Sequence, residues 1–69
     1  VNSKAFGQNV HRRRMAMNMT QEQFSEAISV SRTYLQSIEA GSANPTLKVA
    51  GEIVRVCKCS WNELMRGTD

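Results

Sequence analysis

The sequence predicts an all-α fold of five short helices, and three observations carry that expectation. Apolar residues recur at helical spacing in five successive segments, and two capping boxes, Thr20 with Gln23 and Ser60 with Glu63, mark helix starts. No long alternating run and no turn pair of the Asn-Gly type announces a strand. The 69 residues allow one domain, spanning 1–69. A chain of that size buries only about 60% of its unfolded surface, so its core is small. Hydrophobic content of 41% with 6% aromatics suits a helical bundle packed through Leu, Ile, Val, Met and Ala.

The first helix is expected from about Ser3 to Met17, with Phe6, Val10 and Met17 on one stripe. Asn18 then suits a left-handed helix end, because Asn tolerates positive φ better than most residues. A second helix starts after Thr20, whose hydroxyl accepts the Gln23 backbone N–H while the Gln23 side chain reaches back. Phe24, Ala27 and Ile28 form its apolar face, and it stops near Ser29. Val30 tucks under the turn, and Ser31 caps a third helix that carries Leu35 and Ile38 inward and ends at Gly41. Arg32, Thr33, Gln36 and Ser37 occupy the faces left free, so donors and acceptors point away from the core.

Residues 41–45, Gly-Ser-Ala-Asn-Pro, form a loop, since Pro45 disfavours helix at Asn44. Thr46 caps a fourth helix with Leu47, Ala50, Ile53 or Val54, and Cys57 at core spacing. Gly51 within it costs about 0.5–1 kcal/mol relative to Ala, which a close packing contact would explain. Lys58 falls in a short link where a left-handed residue is often required. Ser60 then caps a brief fifth helix with Trp61, Leu64 and Met65, and the tail beyond Met65 is expected to fray.

Composition narrows the function classes. A formal charge of +3 suits a polyanionic partner without requiring one. No apolar run reaches membrane-spanning length and arginines interrupt the N-terminal segment where a signal peptide needs its apolar region, so a cytoplasmic protein without a membrane partner is expected. Cys57 and Cys59 are too close for a usual structural disulfide and lack the further Cys or His pair of a zinc site; small buried hydrophobes is their simplest reading. No metal or cofactor is expected. His11 is the one histidine and sits among arginines, with no nucleophile or carboxylate pair placed to work with it, so an enzyme is not expected.

Thr20-Gln21-Glu22-x-Phe24, Val30-Ser31-Arg32-x-Tyr34-Leu35 and Ile38-Glu39-x-Gly41, followed by Pro45, resemble the helix-turn-helix signature of the lambda-repressor-like family. That family includes phage repressors, Cro proteins and restriction-modification controller proteins. The resemblance spans roughly Phe6 to Leu64, with the helix-turn-helix at about 20–40. It implies that the third helix lies in the major groove of double-stranded DNA.

On that resemblance the protein is expected to be a sequence-specific transcriptional regulator. Arg32, Thr33 and Ser37 are the first candidates for base contacts, with Gln36 and Tyr34 secondary. Arg32 leads because a guanidinium can bond guanine O6 and N7 together. Thr20 and Gln21, at a helix N-terminus with its partial positive charge and unpaired N–H groups, are expected on phosphates. Tyr34, Ser42, Asn44 and Lys48 are expected on the backbone too. Between His11 and Arg14 the charge is either a solvated face or a phosphate contact plus one inward ion pair. The resemblance pairs Arg14 with Glu39, although Arg13 takes a position that is frequently apolar in the family.

One recognition helix reads only a few base pairs, and relatives solve this by pairing on half-sites one helical turn apart. A homodimer on a pseudo-palindromic operator is therefore expected. Trp61 and Met65, four apart, either present an apolar patch to that partner or complete the core. The alternative class is a protein-interaction module, or an antitoxin, that uses the same fold on a protein partner.

Overall fold

The computed structural model describes residues 2–68. Five helices follow one another: α1 Ser3–Ala16, α2 Gln21–Ala27, α3 Arg32–Ala40, α4 Leu47–Cys57 and α5 Trp61–Leu64. Among the described residues there is no strand.

Each helix begins at a side-chain cap, because the first turn of a helix leaves N–H groups without backbone partners. Asn2, Thr20, Ser31, Thr46 and Ser60 occupy the cap positions, all with extended backbone. In α2 the box closes in both directions, Gln23 N–H donating to Thr20 Oγ1 at 3.0 Å and Thr20 N–H to Gln23 Oε1 at 2.9 Å. The Ser60–Glu63 box closes likewise. Five helix ends and turns among the described residues use left-handed residues: Asn18 (φ 56°), Ser29 (φ 62°), Gly41 (φ 81°), Lys58 (φ 52°) and Gly67 (φ 76°). Only two of these are glycine. Ser29 holds the turn between α2 and α3 tight enough for Val30 N–H to reach Ser25 O at 2.9 Å.

The apolar stripes converge on Phe6, Val10, Phe24, Ile28, Leu35, Ile38, Ile53 and Leu64, all buried, with Ala50 at the edge. Burying one such Leu, Ile or Phe side chain is worth roughly 1.5–3 kcal/mol. This core fixes α3 against α1, its principal neighbour. Their crossing is close. A Cβ built on Gly7 would stand 2.1 Å from Ile38 O and 3.0 Å from Glu39 O, so only glycine lets the two backbones approach this far.

Three expectations are corrected. Leu47 is 78% exposed although it shares the helical face of Ala50. As the first residue of α4 it stands at the open side of a groove it lines with Trp61 and Met65, and no described element covers it. Gly51 is not explained by close approach: a Cβ there would meet the Trp61 ring at an ordinary 3.9 Å. The tail as far as Thr68 is packed, not frayed, and Asp69 lies outside the described residues. Thr68 is buried, its carbonyl accepts from Asn2 N–H at 2.6 Å, and the buried Asn9 amide donates to Leu64 O at 2.8 Å and Arg66 O at 2.7 Å. These long-range bonds tie the tail to α1, and such pairings carry no local sequence signal.

Candidate nucleic-acid interface

The polar face of α3 is built by subtraction. Leu35 and Ile38 turn inward, which leaves Arg32, Thr33 and Gln36 exposed and Ser37 half-exposed. Arg32 lines a shallow polar cleft together with Thr20, Gln21 and Glu22, so the starts of α2 and α3 meet on one side of the molecule. Tyr34 differs: it is half-buried and packs against the core. The Ser37 hydroxyl donates back to Thr33 O at 3.2 Å, and Ser42 Oγ donates to Ser37 O at 3.2 Å. Both hydroxyls thereby keep their acceptor lone pairs free while their protons are engaged. Asn44 is exposed beyond α3, and its Oδ1 accepts from the Ser3 hydroxyl, which leaves the amide N–H groups facing outward. Lys48 is exposed in the first turn of α4.

Beneath this face lies a charged network that joins α1, α2 and α3. Arg14 Nε stands 2.7 Å from Glu39 Oε2 and Arg14 Nη2 stands 3.0 Å from Glu39 Oε1. The two side chains are only 8% and 6% exposed. Arg14 Nη1 also donates to Met19 O at 2.8 Å, and His11 Nδ1 lies 2.9 Å from Glu39 Oε1. Gln21 Nε2 completes the shell at 3.3 Å from the same oxygen. Burial alone would raise the Glu39 carboxyl, but the hydrogen bonds from Arg14, His11 and Gln21 together outweigh it and hold it below its ordinary value. Glu39 in turn raises Arg14 above the usual guanidinium range. Arg13 turns the other way, to Glu63 at 3.2 Å on α5. That resolves which arginine faces inward: α1 directs Arg14 toward α3 and Arg13 toward α5.

Sequence reasoning missed the part His11 plays in this network, the Ser3–Asn44 bond and the exposure of Leu47. The first two join residues far apart in the chain, so no spacing could reveal them. Leu47, Trp61 and the half-buried Met65 line one apolar groove with Phe6, Pro45 and Ala50. Trp61 is 44% exposed. Burial pushes the Cys57 thiol up to about 11, as befits a sulfur that serves packing.

Two capped helices joined by a left-handed turn, the second with an inward Leu/Ile stripe and a polar outer face and braced by α1, define a helix-turn-helix domain. A helix-turn-helix family model matches residues 10–64. The chain belongs to the lambda-repressor-like helix-turn-helix family of DNA-binding transcription regulators.

Its relatives include an uncharacterised HTH-type transcriptional regulator, y4dJ, of Sinorhizobium fredii, 35% identical over 66 residues that make up 96% of this chain and 86% of the relative. Another HTH-type regulator, from Archaeoglobus fulgidus, is 42% identical over 43 residues, 62% of this chain and 61% of that protein. In three dimensions the chain is similar to the restriction-modification controller protein C.AhdI of Aeromonas hydrophila. That match has a TM-score of 0.83 at 24% identity, covering 88% of this chain and 92% of the other. It is also similar to the clp gene regulator ClgR of Corynebacterium glutamicum, with a TM-score of 0.88 at 20% identity over 94% of this chain and 69% of that one. At those identities the likeness is one of fold.

Proposed function

We propose that the protein is a sequence-specific regulator that inserts α3 into the major groove and binds a pseudo-palindromic operator as a homodimer. The observation that carries this reading is the outer face of α3. Arg32, Thr33 and Gln36 stand exposed side by side with Ser37 at their edge, and Thr20 and Gln21 lie beside them at the start of α2. Arg32 is the leading base reader, and the Thr33 methyl can contact thymine. Thr20, Gln21, Asn44 and Lys48 donate to phosphates on either side of the groove, and Ser42 joins them by turning its hydroxyl proton away from Ser37 O, which positions the helix without reading sequence. Tyr34, packed half into the core, reaches the backbone with its hydroxyl alone.

Dimerisation would use the apolar groove around Leu47, Trp61 and Met65, since exposed leucine and tryptophan side by side are the kind of patch a two-fold partner covers. Proteins that resemble this one include a restriction-modification controller and a gene regulator, which is the company this reading expects.

The test is selection of bound duplexes from a random-sequence pool at moderate salt. Enrichment of a pseudo-palindrome with half-sites about one helical turn, roughly 10 bp, apart is the expected outcome. Failure to enrich any sequence, with affinity indifferent to salt, would move the fold to a protein partner, because phosphate contacts make DNA binding steeply salt-dependent.

A further inference from the structure

We infer that Glu39, which does not face DNA, sets the base preference of Gln36 by fixing the polarity of two amides in series. Glu39 and Gln21 are thus positioning residues for a specificity determinant on α3. This rests on the reading of α3 as the recognition helix.

The chain of contacts is continuous. Gln21 Nε2 donates to Glu39 Oε1 at 3.3 Å, and Gln36 Nε2 donates to Gln21 Oε1 at 3.4 Å. Each bond is long on its own, yet the direction of both follows from one fact. A carboxylate only accepts, and Arg14 clamps this one in a single orientation through two hydrogen bonds. Gln21 must therefore turn its NH2 toward Glu39, because the opposite rotamer would set a carbonyl oxygen against a carboxylate. Its own Oε1 is left pointing at α3. Gln36 must in turn present its NH2 to that oxygen, which commits one of its two N–H groups and fixes the side on which Oε1 stands as the exposed acceptor beside the remaining N–H.

A free glutamine can rotate its amide to offer either end to a base; this one is biased before DNA arrives. Among the bases, adenine N6 and cytosine N4 carry the major-groove amino groups that an acceptor can use, whereas guanine presents only acceptors there. Gln36 accordingly favours a base with an exocyclic amino group. The second N–H of Gln21 remains available to a phosphate, so the same side chain can position the protein and orient its neighbour.

The test uses the operator selected from the random pool and three proteins: the unaltered chain, Gln36→Ala and Gln21→Met. The base pair whose preference is lost in Gln36→Ala identifies the position that Gln36 reads. At that position the amino-bearing base is replaced by its analogue lacking the amino group, purine for adenine or 2-pyrimidinone for cytosine, and binding is measured by titration. The amino deletion should weaken the unaltered protein at least about fivefold, in line with one good base contact. In Gln36→Ala the deletion should have less than about a twofold effect. In Gln21→Met the penalty should also fall to about twofold, because the released amide can rotate to suit the altered base.

A full penalty retained in Gln21→Met would overturn the relay, as would an unaltered protein indifferent to the amino group. A Gln36→Ala selection identical to that of the unaltered chain would do so too. Because Gln36 is exposed, that variant tests the inference even if Gln21→Met should fold poorly. Absence of any enriched operator would overturn the DNA-binding reading itself and this inference with it, whereas the preceding outcomes leave that reading standing.

Discussion

Arg14 on α1 and Glu39 on α3 form a two-point ion pair, with Nε to Oε2 at 2.7 Å and Nη2 to Oε1 at 3.0 Å, under the face of α3 that carries the exposed polar residues. The pair sits between the core and the candidate interface and touches both: Arg14 Nη1 also reaches the backbone leading into α2, and Gln21 shares the Glu39 oxygen. It specifies how α1, α2 and α3 are assembled more than it adds net stability, since desolvation offsets much of the Coulomb gain.

Removing one member should be far worse than removing both. Arg14→Met or Glu39→Leu alone leaves a buried charge unpaired and should cost about 3–5 kcal/mol, comparable to the whole stability of so small a domain. The double variant should recover much of that loss in urea unfolding. Additive losses would show that the two side chains are not coupled.

Acidification should expose the same pair. The Glu39 carboxyl is held below its ordinary value of 4.5, so its stabilising contribution is fully present above that value. The contribution is lost as pH falls through the depressed value of the folded state. Unfolding free energy should therefore drop more steeply below pH 4.5 in the unaltered protein than in Glu39→Gln. Parallel profiles would contradict the assignment.

Gly7→Ala tests the helix crossing. The new methyl would lie 2.1 Å from Ile38 O, and backbone carbonyls cannot swing aside as a side chain could. A destabilisation of about 1–3 kcal/mol is expected, with weaker DNA binding because α3 must move away from α1. Thermal unfolding and duplex titration read the two effects separately; an unchanged melting temperature would mean that the crossing is looser than described.

Leu47→Glu separates self-association from folding. The side chain is 78% exposed, so monomer stability should stay within about 0.5 kcal/mol while association weakens. Sedimentation velocity over a range of concentrations checks this. An unchanged association constant would move the partner surface away from the groove shared with Trp61 and Met65.

Arg32→Ala and Lys48→Ala should fail in different ways. Loss of a bidentate guanine contact relaxes preference at one base position by about 1–3 kcal/mol. Loss of a phosphate contact weakens all sequences alike and reduces the salt slope by about one counterion. Binding titrations on operator and scrambled duplexes at several salt concentrations distinguish the two, and a uniform loss from Arg32→Ala would remove it from the base readers.

Much of the fold was legible locally. Thr20 with Gln23, Ser31, Thr46 and Ser60 with Glu63 announce helix starts because capping involves residues within one turn of each other. Phe24, Leu35, Ile38 and Ile53 announce their buried faces through spacing alone. The polar residues of α3 were legible as a by-product, since whatever is not on the Leu35–Ile38 stripe must face outward. Resemblance to known relatives added the pairing of Arg14 with Glu39, which no spacing contains.

The amino-acid sequence by itself determined five helices, their boundaries within about two residues, and which face of α3 is polar, because each depends on contacts within a few residues. Tertiary structure alone decided that Leu47 stands uncovered and that the tail through Thr68 packs against α1. It also decided that Gly7, not Gly51, permits a close crossing, and that Glu39 gathers Arg14, His11 and Gln21 around one carboxylate. These outcomes depend on which elements meet in space, and on which helix face is left without a neighbour.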